Sequence, residues 1–88
     1  MSDVSFSEDA WDEYENLQEK DRRMLKKVNQ LIRSIQREGP SNGIGKPERL
    51  KYVDGEFWSR RIDKKNRLIY EVSDDRIYIT ACIEHYDD

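Results

Sequence analysis

At 88 residues the chain has room for one domain with one modest core, and with 35% hydrophobic against 40% charged residues it has little apolar material to spare. That excludes a second domain, so residues 1–88 read as a single unit. The one cysteine, Cys82, excludes an internal disulfide; it sits in the apolar run IYITACI, where a small buried side chain is expected and a reducing compartment is compatible. The opening MSDVSFSEDAW has neither a basic n-region nor a long apolar stretch, and no run approaches the roughly 18 apolar residues of a membrane span. The expected protein is soluble, cytoplasmic and not membrane-bound.

A formal net charge of −3 argues against a nucleic-acid ligand only until it is divided along the chain. Residues 1–45 carry 7 positive and 9 negative side chains, residues 46–67 carry 8 and 4, and residues 68–88 carry 1 and 6. The middle block is thus +4 inside an acidic protein. Such a patch can place phosphates but is too small to grip RNA or DNA unaided.

In chain order, a short strand over 4–6 leads to Ser7, a good N-cap, with Glu8 and Asp9 favourably placed in the first turn of a helix. Ala10, Trp11, Tyr14 and Leu17 recur at helical spacing and read as its core face, leaving Asp12, Glu13, Glu15 and Glu19 to water. The helix is expected to end near Lys20, where Asp21 caps a second one. There Leu25, Val28, Leu31, Ile32 and Ile35 form the apolar stripe, and Gly39-Pro40 is the stop. Its basic residues, among them Arg22, Lys26 and Arg33, read either as an RNA-backbone contact or as the solvated side of an amphipathic helix, the commoner meaning of a charge run.

The loop SNGIGK, residues 41–46, lacks the GxxxxGK[ST] spacing of a nucleotide-binding loop. Strands follow over 49–53, 57–62, 67–72 and 77–83, with turns at Asp54-Gly55, 63–66 and Asp74-Asp75. The expected fold class is α+β, two N-terminal helices packed on a twisted antiparallel sheet.

Strand alternation then sorts the side chains. Trp58, Arg60 and Ile62 share one face, while Phe57, Ser59 and Arg61 share the other. In the next strand Leu68, Tyr70 and Val72 form the apolar set, so Arg67 falls opposite them and meets Arg61, where an anion would relieve the repulsion of like charges. In the last strand Ile77, Ile79, Ala81 and Ile83 are expected to turn toward the helices. His85 has their parity. Either a bulge or the strand's end releases it, or it is a core histidine.

The residues that carry chemistry lie between Lys46 and Tyr86. The chain's only histidine, His85, Glu48 flanked by Lys46, Arg49 and Lys51, and Arg60, Arg61 and Arg67 supply an acid, a base and several guanidinium groups. Phosphodiester cleavage without a metal asks for that set. Each also has a plainer reading: Glu48 in a surface ion pair, Arg67 marking a hairpin edge, Tyr86 a packing residue. With no Cys/His cluster or paired histidines, no metal or other cofactor is expected.

The segments SEDAWDEY, KKVNQLI, GKPERLK, GEFWSRRID, RLIYEVSDD and IYITACIEHY resemble, in order and spacing, the YoeB/Txe toxins of the RelE superfamily, over nearly the whole chain. WSRRI followed by RLIY and a terminal HY is specific in combination. The resemblance implies a RelE-like fold and a toxin that enters the ribosomal A site and cuts mRNA. It also implies a homodimer, restraint by a YefM-type antitoxin, and contact with operator DNA only as the toxin–antitoxin complex. Carried over by position, it makes Glu48, Arg67, His85 and Tyr86 catalytic, and Lys46, Lys51, Arg60 and Arg61 substrate-binding. Many relatives end at the HY pair, whereas this chain continues with Asp87 and Asp88.

On that resemblance Glu48 is the general base toward the 2'-hydroxyl, Arg67 stabilises the phosphate, and His85 protonates the leaving oxygen. A non-cleaving module that blocks the A site, or acts with its antitoxin on operator DNA, is the other reading.

Overall fold

The computed structural model describes residues 3–51 and 53–85, the last three of these by backbone alone. Two helices form where side chains satisfy their open ends. The Ser7 hydroxyl accepts a 3.1 Å hydrogen bond from the Ala10 N–H and opens α1 (Glu8–Lys20), whose first turn carries Glu8 and Asp9. Asp21 serves both helices: its N–H donates to the Leu17 carbonyl at 3.0 Å, and its carboxylate accepts from the Met24 N–H at 3.0 Å to open α2 (Arg22–Glu38). Gly39 ends α2 at φ 92, a left-handed conformation natural to glycine, with its N–H bonded to the Ile35 carbonyl. All three helix boundaries agree with the sequence-based expectation.

The sheet has five strands, β1 (Asp3–Phe6), β2 (Glu48–Arg49), β3 (Glu56–Arg61), β4 (Asn66–Ser73) and β5 (Arg76–His85), in the order β1-β5-β4-β3-β2. β2 to β5 run antiparallel, but β1 pairs with β5 in parallel, Val4 opposite Ile77 and Phe6 opposite Ile79. The sheet is therefore mixed, where a wholly antiparallel one was expected. A parallel neighbour needs a long crossover, and here both helices and three strands lie between the two partners.

β2 is shorter than the expected strand over 49–53. Glu48 pairs with Ser59 and Arg49 with Trp58, the Leu50 N–H adds a 2.9 Å bond to the Phe57 carbonyl, and the chain then turns at Lys51. Both strand residues are charged and exposed, and a short charged edge offers little to a further strand.

The core lies between the helices and one face of the sheet. Ala10, Leu17, Val28, Leu31 and Ile35 from the helices meet Ile62, Leu68, Tyr70, Ile77, Ile79 and Cys82. Truncating a fully buried leucine such as Leu31 to alanine costs about 2–5 kcal/mol. Trp11 departs from the expected core face: it remains 45% exposed and stacks on Tyr14 at a centroid distance of 5.6 Å, with Phe6 against both rings.

β5 also departs from simple alternation. Ile77 and Ile79 are buried as expected, but the next core residue is Cys82 rather than Ala81. The β4–β5 register shifts twice, between the pairs Tyr70–Ile79, Ile69–Ala81 and Arg67–Glu84. Extra residues in one strand change which side chains face inward. At the second shift, between Ala81 and Glu84, the Cys82 N–H turns to the α1 carboxylate of Glu13, with Oε1 at 3.0 Å.

Candidate functional site

Residues directly opposite in neighbouring strands share a face of the sheet. On the face away from the helices, one row runs Glu48, Ser59, Ile69, Ala81 across β2, β3, β4 and β5. The next row toward the β3–β4 turn pairs Arg61 with Arg67. Ser59 and Ile69 are almost completely buried, and Ile69 stands outside the helix-side core. Glu48 and Arg61 are diagonal neighbours in this lattice, so their Cα atoms sit roughly 7–8 Å apart. Both are exposed. A carboxylate and two guanidinium-bearing residues thus share one side of the sheet; alternation anticipated the Arg61–Arg67 pair but not Glu48 beside it.

The β3–β4 turn fixes the two arginines opposite one another. Asp63 Oδ1 accepts from the N–H groups of Lys65 at 2.9 Å and Asn66 at 2.8 Å, and the Asn66 amide donates to both carboxylate oxygens at 3.1 Å. Slight burial works against the charge on Asp63, but these hydrogen bonds, with Arg67 nearby, hold its carboxyl below the usual range. Arg67 itself is only 6% exposed, and its Nη1 donates to the carbonyls of Asp63, Lys64 and Asn66 at 2.9, 3.5 and 3.2 Å. Its guanidinium is held against the turn, whereas that of Arg61 faces solvent. The sequence marked a turn over 63–66 but assigned Asp63 and Asn66 no part in the site, although an Asp three residues before an Asn in a four-residue turn is a side-chain-to-backbone turn signal.

Lys46 and Lys51 bracket β2, both exposed. Lys46 has φ 51, uncommon for a residue with a β-carbon, and follows Gly45, whose carbonyl accepts from the Arg61 N–H at 2.7 Å. That bond ties the loop before Glu48 to the strand that carries Arg61.

Arg60 is a correction to the substrate-binding set. It lies on the helix side of β3, completely buried, and its guanidinium donates to Tyr70 Oη, Ser34 Oγ and the carbonyls of Gly39, Pro40, Asn42 and Ile44. With every N–H group occupied inside the protein, it has nothing to offer a phosphate at the surface. Ser34, which the helical stripe left out, is buried because it forms part of this network.

The backbone of His85 lies opposite Asn66 at the end of β5, next to the Glu84–Arg67 pair. Its side chain, and all of Tyr86, Asp87 and Asp88, lie outside the described residues. Among the described residues no group of three or more His, Cys, Asp or Glu side chains could hold a metal ion. Cys82 is free and buried, and burial, reinforced by Glu13, pushes its thiol up to about 12, so it is not a nucleophile at neutral pH. On the helix side, a cleft of about 570 Å³ rimmed by Arg22, Lys26 and Arg33 runs along α2.

The family model for the YoeB-like toxin of bacterial type II toxin-antitoxin system matches residues 6–86. Toxin YoeB of Escherichia coli (strain K12) is 49% identical over 81 residues, spanning 92% of this chain and 95% of that protein. Among solved structures, the YoeB dimer from Staphylococcus aureus matches with a TM-score of 0.87 and 43% identity, covering 97% of this chain and 98% of that one. The YoeB-YefM complex from the same organism matches with a TM-score of 0.87 and 42% identity, covering 98% and 99%. With the sequence match and the fold agreeing over almost the full length of both partners, this chain belongs to the YoeB-like toxins of bacterial type II toxin-antitoxin systems.

Proposed function

We propose that the chain is a metal-independent endoribonuclease that cuts mRNA in the ribosomal A site. The observation that carries this reading is the shared sheet face: Glu48 stands diagonal to Arg61, and Arg61 directly opposite Arg67. RNA brings its own nucleophile, so three tasks remain for the protein. Glu48 takes the proton from the 2'-hydroxyl as its oxygen forms a bond to phosphorus. Arg61 and Arg67, with Lys46 and Lys51 at the margin, stabilise charge on the nonbridging oxygens; such preorganised donors contribute about 3–4 kcal/mol each. His85, as imidazolium, gives a proton to the 5'-oxygen as its bond to phosphorus breaks, and Tyr86 stacks on a base. The products are a 2',3'-cyclic phosphate and a 5'-hydroxyl.

Arg61, exposed and directly opposite Arg67, makes this face locally positive, which favours a phosphate. A local charge of +4 in a chain of net −3 is too weak to hold RNA alone, which is why the ribosome has to present the message. The Staphylococcus aureus relative has been solved as a YoeB dimer and as a YoeB-YefM complex. By that likeness this chain dimerises and is neutralised by a YefM-type antitoxin, and it reaches operator DNA only in that complex.

Primer extension on a translated message tests the reading. Discrete cuts on programmed ribosomes, with free RNA cut far more slowly, are expected. Equal rates on the two substrates would refute ribosome dependence. Arrested translation without cuts would refute cleavage and favour a module that only blocks the A site.

A further inference from the structure

Among the described residues Arg60 is the largest fully buried side chain, and it is charged. Burying a cation is costly unless its hydrogen bonds are all supplied. Here they are. Nε donates to Tyr70 Oη at 3.0 Å; Nη1 donates to Ser34 Oγ and the Ile44 carbonyl, both at 3.0 Å; Nη2 donates to the carbonyls of Gly39, Asn42 and Pro40 at 2.9, 2.6 and 3.4 Å. Four of the six acceptors are backbone carbonyls from residues 39–44, a segment that is neither helix nor strand. Carbonyl dipoles aimed at one point repel one another, and a guanidinium at that point turns repulsion into attraction.

The same network closes on itself. Ser34 Oγ also accepts from the Ile44 N–H at 3.2 Å and donates to Glu38 at 3.3 Å, and Tyr70 Oη donates to the Pro40 carbonyl at 2.6 Å. A β-carbon at Gly43 would overlap Ser34 Oγ, and one at Gly45 would press on Leu31, so the loop fits round the cation only with glycine at these places. From Ile44 the chain passes through Gly45, which is bonded to the Arg61 N–H, to Lys46 and then Glu48.

We propose that Arg60 is a positioning residue: an internal cation around which residues 39–44 fold, and which thereby sets where Lys46 and Glu48 stand relative to Arg61 and Arg67. Two adjacent arginines divide the labour, Arg61 facing a substrate and Arg60 shaping the loop that brings the carboxylate to it. The consequence for cleavage rests on the nuclease reading above; the consequence for the loop does not.

The test uses Arg60→Lys and Arg60→Ala in the full chain, with amide hydrogen exchange and single-turnover cleavage on programmed ribosomes. Lysine keeps the charge but offers three donors on one point and no planar fork, so it cannot hold four carbonyls at once. In Arg60→Lys the amides of Ile44, Lys46 and Glu48 should exchange faster while those of Val28 and Leu31 stay protected. The cleavage rate constant should fall on the order of 100-fold with little change in KM, the pattern of a misplaced catalytic group. Guanidinium chloride well below denaturing concentration should restore loop protection and part of the rate to Arg60→Ala, whereas methylammonium should not. If Arg60→Ala does not fold, Arg60→Lys decides alone. Loop amides protected as in the wild type would overturn the proposal, and so would a loosened loop with an undiminished rate. A wild-type chain that cuts nothing sinks the nuclease reading instead, and hydrogen exchange still decides whether Arg60 organises the loop.

Discussion

Replacing Glu13 by alanine removes the acceptor that the Cys82 N–H finds at the irregular part of β5. Cys82 is completely buried, so its N–H cannot turn to bulk water when the carboxylate is gone. A hydrogen bond to a charged acceptor contributes about 1.5–3 kcal/mol, and alanine returns a few tenths through helix propensity, leaving a net loss of about 2 kcal/mol. In a domain of this size each kcal/mol moves Tm by about 4–8 °C, so the midpoint should fall by roughly 8–16 °C. Glu13→Gln keeps an oxygen at the same reach without the charge and should recover about half of the loss. Calorimetry gives the midpoints, and hydrogen exchange at the Cys82 amide ties them to the bond. An alanine variant melting within about 2 °C of the wild type, its Cys82 amide still protected, would show that Glu13 does not hold this strand.

Three further outcomes are expected. Arg61→Ala should leave the melting temperature nearly unchanged, because the side chain is exposed, but lower cleavage on programmed ribosomes about 100-fold; Arg67→Ala should also destabilise, since Nη1 satisfies turn carbonyls, and equal melting losses would contradict that division. Asp63, whose carboxyl the turn's hydrogen bonds and Arg67 hold below the usual carboxylate range, stabilises the turn fully above that range and progressively less as pH falls through its lowered pKa, so the stability gap between wild type and Asp63→Asn should close on acidification. A gap that stays constant down to acid denaturation would show that the ionised carboxylate is not what matters. His85→Gln should keep the fold while cleavage drops about 100-fold or more if the histidine is the general acid; a destabilised variant whose folded fraction cuts normally would remove it from the mechanism.

Much of this protein follows from neighbouring residues alone. Ser7, Asp21 and Gly39 end helices because a capping oxygen or a left-handed φ acts within four residues, so local sequence is enough to mark α1 and α2. Pleat parity likewise put Arg61 and Arg67 on one side of a hairpin, because antiparallel strands joined by a short turn have little choice of register. What the sequence could not decide depends on partners distant along the chain. β1 joins β5 in parallel across both helices, and β5 slips register where Glu13, 69 residues away, offers an acceptor to Cys82. Pleat parity sets Arg60 and Arg61 on opposite faces, but nothing local reveals that Arg60 is enclosed by the carbonyls of residues 39–44. A buried charge is tolerated only where acceptors converge on it, and only the folded chain brings those acceptors together.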